Sequence, residues 1–124
     1  MADDLAKKIR ALFPLAANSF KPCGWCPPVD VYEVPHGWLV KFDLAGVRFD
    51  DLDLSVQGRK LILRGVRRDS VIEQGQRSYS MEISYEHFDR CIQLPGEVDS
   101  AGITTNYQDG MLIVRLRAKE SSNG

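Results

Sequence analysis

Apolar residues fall first at helical spacing and then at strand spacing. Leu5, Ile9 and Leu12 recur at i, i+4 and i+7 with Phe13 beside them, so one face of residues 3–13 is apolar. Asp3 stands where a helix cap is due, and Pro14 follows as a stop. A helix this short is marginal alone and needs a surface to lie on. Residues 15–28, with Phe20, Pro22, Gly24, Pro27 and Pro28, read as an arm. From Val29 onward the period is two. Trp38, Val40, Phe42 and Leu44 alternate with Leu39, Lys41 and Asp43. The same alternation runs through Leu52, Leu54 and Val56, through Leu61 and Leu63, and through Tyr79, Met81, Ile83 and Tyr85. Phe88, Ile92 and Leu94 share one parity, Ile103 and Tyr107 make a short run, and Leu112, Val114 and Leu116 close the series. His36-Gly37, Gly58, Pro95-Gly96 and Asp109-Gly110 sit where turns are due. About eight short strands without an interior helix predict an all-β fold, an immunoglobulin-like antiparallel β-sandwich, preceded by a short N-terminal helical arm.

The chain of 124 residues is long enough for one domain with a real core. Its 16 basic and 17 acidic residues give a net charge of −1, which argues against nucleic acid as a partner and favours self-association. No apolar run approaches the ~18 residues of a membrane span. Asp3 and Asp4 stand where a secretory signal would be basic, so no membrane partner and a cytoplasmic location are expected. Three cysteines, Cys23, Cys26 and Cys91, are too few for a disulfide scaffold.

Chemistry-bearing motifs are sparse. There is no G-x-x-x-x-G-K-[ST] loop for phosphates and no G-x-S-x-G turn for a serine nucleophile. His36 and His87 have no carboxylate at a fixed offset and read as surface residues. Neither a catalytic centre, a metal site nor a cofactor is expected. Arg64, Arg67 and Arg68 are expected to pair with acidic residues across strands or across a dimer. Cys23 and Cys26 form a C-x-x-C whose spacing suits an intrachain disulfide, half a metal site, a redox pair or two inert thiols. No second C-x-x-C completes a zinc set, and the pair lies in a proline-rich arm rather than at a helix start. A thiol oxidoreductase would rest on this motif alone.

Five words in order carry a family resemblance. Trp25, Pro27, Asp30 and Glu33 match W-x-P-x-x-D-x-x-E. Phe42-Asp43-Leu44-Ala45-Gly46-Val47, with Asp51-Leu52 after it, is similar to a D-L-P-G-V … D-I turn. Arg64-Gly65-Val66-Arg67-Arg68 stands where a GER strand would, and Phe88, Arg90, Ile92, Leu94 and Pro95 match F-x-R-x-F-x-L-P. Residues 103–112 resemble A-x-x-x-n-G-v-L, with Thr105 in place of the alanine. Over residues 25–118 the chain thus resembles the α-crystallin-domain small heat-shock proteins. The resemblance divides it into an arm (1–24), a sandwich (25–119) and a short polar tail (120–124).

The resemblance implies an ATP-independent holdase, not an enzyme, that binds partly unfolded clients through apolar surfaces and self-associates. It implies that Tyr79, Met81 and Ile83 lie on a strand exchanged into a partner's sheet, an intrachain hairpin being the alternative. It implies that Arg90 lies at the dimer contact, the alternative being an arginine snorkelling to water. Leu54, Val56, Ile103 and Thr105 match the family's edge groove for an I-x-I tail, although parity alone would make Leu54 and Val56 plain core. This chain's own tail has no I-x-I, which leaves oligomer size open. Leu5, Ile9, Leu12, Phe13 and Phe20 correspond to the family's apolar arm, for assembly and client capture or for packing on its own sandwich. A second class of function is an adaptor that binds one folded partner.

Overall fold

The computed structural model describes residues 25–120. The arm residues Leu5, Ile9, Leu12, Phe13, Phe20 and Cys23 lie outside the described residues, as does the tail from Ser121 onward. Seven strands form among the described residues: β1 (Val29–Val34), β2 (Gly37–Asp43), β3 (Leu52–Gln57), β4 (Lys60–Val66), β5 (His87–Gln93), β6 (Val98–Gln108) and β7 (Met111–Ala118). A single 3-10 turn, Phe49–Asp51, leads into β3. One sheet has the order β1-β2-β7-β6 and the other β3-β4-β5, with antiparallel neighbours throughout.

The two-residue period explains the core. Trp38, Val40 and Phe42 on β2 pair across with Leu116, Val114 and Leu112 on β7, and all six are buried. From the opposite sheet Leu61 and Leu63 on β4 and Phe88 on β5 meet them. Burying each such side chain is worth about 1.5–3 kcal/mol, so a one-residue slip that turned any of these strands over would be prohibitive.

Turn chemistry fixes the register at both ends. Asp109 and Gly110 have φ of 56° and 80°, the doubly positive pattern that a two-residue hairpin between β6 and β7 requires. Gly58, at φ 62°, opens the equivalent turn between β3 and β4. That hairpin is tied to the crossover between sheets: Val98 N–H donates to Gly58 O at 3.0 Å, and Leu94 N–H to Arg59 O at 2.7 Å. At the other end the Tyr107 hydroxyl is shared between Leu44 O, at 3.0 Å, and Val47 O, so it pins the turn built around Gly46. Burial, helped by the nearby Asp43 carboxylate, pushes the Tyr107 hydroxyl above its ordinary pKa.

Two expectations change. Strand β6 is longer than its apolar pattern, because residues 98–102 join it through an irregularity between Asp99 and Ile103. Residues 79–85 form no strand within the single chain, so the alternative of an intrachain hairpin is absent. Their alternation calls for a neighbouring strand edge, and within the single chain they pair with none. Tyr79 is 100% exposed, and Met81 and Ile83 are largely exposed.

Candidate interaction surfaces

Strand β3 edges one sheet, β6 edges the other, and the two lie side by side. Leu54 and Val56 pair with Leu63 and Leu61, so they face inward, as do Ile103 and Thr105 opposite Leu116 and Val114. Because the sandwich is open at this side, Leu54, Val56 and Ile103 stay only half-buried while touching the core, and Thr105 is exposed. All four expected groove residues therefore line one open seam. The first three serve the core and the seam together.

The second surface is the connection between β4 and β5. Val71, Ile72, Tyr79, Met81 and Ile83 expose their apolar side chains on it. Sequence patterning singled out the last three; Val71 and Ile72, adjacent and without alternation, gave no signal. The base of the connection is held by Arg67. Its N–H donates backbone-to-backbone to Glu86 O at 3.0 Å. Its guanidinium donates through Nε to Ser84 O at 2.8 Å and through Nη1 to Ala45 O at 3.2 Å, and lies 3.7 Å above the Trp25 ring. Trp25 in turn meets Phe88 edge-on at 5.1 Å. Beside this cluster opens a cleft of about 510 Å³ lined by Trp25, Gly46, Arg67, Ile83 and Tyr85. Sequence reading placed Arg67 in a basic cluster expected to pair with carboxylates. Arg68 does so, in a two-pronged contact with Asp51 at 3.0 and 3.3 Å, and Arg64 meets Asp53 at 3.8 Å. Arg67 instead takes carbonyls and an aromatic face, which no charge pattern could foretell.

The third surface is the free edge of β1. It pairs only with β2, and Val31, Tyr32 and Val34 are exposed along it. Arg90 sits on β5, the outer strand of the other sheet, opposite Leu63 and on the inward parity expected of it. It is half-buried.

Among the described residues no cluster of three His, Cys, Asp or Glu side chains is placed to hold a metal ion. Cys26 is disulfide-bonded, which removes its thiolate as a metal ligand, and Cys91 is a free, exposed thiol. No described helix is long and apolar enough to cross a membrane.

The family model described as "Hsp20/alpha crystallin family" matches residues 30–124. The chain is 30% identical over 96 residues to small heat shock protein C4 of Rickettsia felis, covering 77% of this chain and 59% of that one. It is 29% identical over 103 residues to spore protein SP21 of Stigmatella aurantiaca, covering 83% of this chain and 61% of that one. The chain thus spans about six tenths of the length of these relatives. Among solved structures, heat shock protein 16.0 of Schizosaccharomyces pombe superposes with a TM-score of 0.69 at 28% identity, over 79% of this chain and 91% of that one. A small heat-shock protein of Xylella fastidiosa superposes with a TM-score of 0.66 at 26% identity, over 79% and 90%.

Proposed function

Because the chain belongs to the Hsp20/alpha crystallin family, we propose that it is an ATP-independent holdase whose working element is apolar surface. Members of that family are chaperones and not enzymes. The observation that carries the reading is the exposed apolar set on the β4–β5 connection: Val71, Ile72, Tyr79, Met81 and Ile83. A soluble monomer rarely leaves such a set on one segment uncovered, so it belongs against another chain.

The alternation of residues 79–85 and the unpaired edge of β1 are complementary. In the unit we propose, each copy lays this segment along β1 of a second copy. The added strand satisfies the β1 backbone and covers Val31 and Val34. Arg90, half-buried on its edge strand, lies at the contact between copies. The seam of Leu54, Val56, Ile103 and Thr105 takes an extended apolar segment, from a client or from another protein's tail. Three cysteines are too few for a disulfide scaffold of the kind secreted domains use, and on that ground we place the protein in the cytoplasm.

The test is size-exclusion chromatography of the protein mixed with one client, native in one sample and heat-destabilised in the other. The holdase reading expects co-elution with the destabilised client alone. Stoichiometric co-elution with a native partner, and none with a destabilised client, would overturn it in favour of an adaptor.

A further inference from the structure

The outward face of the β3-β4-β5 sheet is drier than its own side chains can make it. On β4, Leu61 and Leu63 point into the core, so Ile62 and Arg64 point out. The register sets Ser55 and Cys91 beside Ile62, and Asp53 and Asp89 beside Arg64. These neighbours are small, and an isoleucine among them on a bare sheet would meet water. Yet Ile62 is 3% exposed and Arg64 8%. Ser55 Oγ and the Nε and Nη2 atoms of Arg64 are buried without a hydrogen-bond partner. The other sheet packs on the opposite side, and among the described residues no strand lies over this face. Asp53 meets Nη1 alone, and two buried guanidinium nitrogens without acceptors are costly, so the face belongs under a cover that brings acceptors.

We propose that the segment of this chain preceding Trp25 lies across this face, with the Leu5, Ile9 and Leu12 stripe over Ile62. Trp25 meets Phe88 of β5, so the chain joins the sandwich at the rim of this very sheet. The 11 residues between Phe13 and Trp25 could extend over about 35 Å, against roughly 10 Å across three strands, so the tether reaches every point of the face. The stripe is apolar and narrow, as the strip around Ile62 is. It is flanked by Lys7, Lys8 and Arg10, which complement Asp53 and Asp89, while Asp3 and Asp4 supply acceptors for Arg64. The helical repeat is too short to persist alone, and this face gives it the surface it needs. The inference stands apart from the holdase reading.

Cys91, exposed and free beside Ile62, is a built-in reporter. The full chain, kept non-reduced so that Cys26 stays in its disulfide, is coupled at Cys91 to a benzophenone maleimide and irradiated. Photoproducts are then mapped by mass spectrometry in a reassembled mixture of 14N- and 15N-labelled chains. The expected result is cross-links to residues 3–13, each joining two ends of one isotope, and their loss in the double substitution Ile9→Asp, Leu12→Asp with the β-sheet circular dichroism unchanged. Cross-links to another segment, no cross-link to protein, or yields that the double substitution leaves intact would overturn the proposal. Cross-links joining light to heavy chains would overturn it too, and would name a second copy's arm as the occupant.

Discussion

Replacing Arg67 by alanine removes three contacts at once and frees the base of the β4–β5 connection. The bond from Nε to Ser84 O is partly buried and charge-assisted, and is worth about 1.5 kcal/mol. The bond from Nη1 to Ala45 O is exposed and adds at most about 0.5 kcal/mol. The guanidinium over Trp25, partly in water, adds roughly 0.5–1 kcal/mol. The expected loss is therefore about 2–3 kcal/mol. Arg67→Lys keeps the charge but cannot span two carbonyls in a fixed fork, so it should lose about half as much. Urea unfolding followed by tryptophan fluorescence reads the change, at one fixed protein concentration because self-association shifts the midpoint. Amide exchange should quicken at Ala45, Gly46 and residues 82–86 and not in β2 or β7. An alanine variant with an unchanged midpoint, or a lysine variant as stable as the parent, would refute the reasoning.

Three further perturbations have definite expected outcomes. A Cβ on Gly37 would stand 1.9 Å from Leu116 O, so Gly37→Ala should open the β2–β7 ladder and cost about 3 kcal/mol or more, read as a lowered urea midpoint. The raised Tyr107 pKa means the fold favours the neutral phenol, so stability should be flat below the unfolded value near 10.0 and fall as pH rises through the folded one. Tyr107→Phe should abolish that alkaline fall and cost about 1 kcal/mol at neutral pH, measured by unfolding at a series of pH values. Met81→Asp with Ile83→Asp should leave the sandwich folded but reduce the smallest species in sedimentation from dimer to monomer; an unaltered dimer would place the contact elsewhere.

Most of the fold was legible because its strands bury one face, and burial on one face writes itself as strict alternation. β2 and β7 are the clearest cases, from Trp38 to Phe42 and from Leu112 to Leu116. Asp109-Gly110 and Gly58 announced their hairpins for an equally local reason, the need for positive φ. The first half of β6 was silent because Ser100, Ala101 and Gly102 bury little there. Residues 79–85 alternate as a strand does, yet within the single chain they pair with no strand, and alternation alone names no partner. Leu54 and Val56 were ambiguous in sequence and remain dual in the structure, since a seam residue touches core and solvent together. Arg64 could not be foreseen as buried, because its position on β4 is outward and outward residues are ordinarily wet. Arg67 was visible as a charge but not as a clamp, because its partners are backbone carbonyls and the Trp25 ring, brought together only by the closed sandwich.

The measurement that bears most directly on the account is light scattering of a heat-destabilised client without ATP, with the parent protein and with the Met81→Asp, Ile83→Asp variant side by side. The account predicts that the parent suppresses aggregation at near-stoichiometric ratio and that the variant, unable to form the unit between copies, suppresses it less. A parent that leaves the scattering curve unchanged would contradict the holdase reading, and a variant equal to an active parent would separate suppression from that unit.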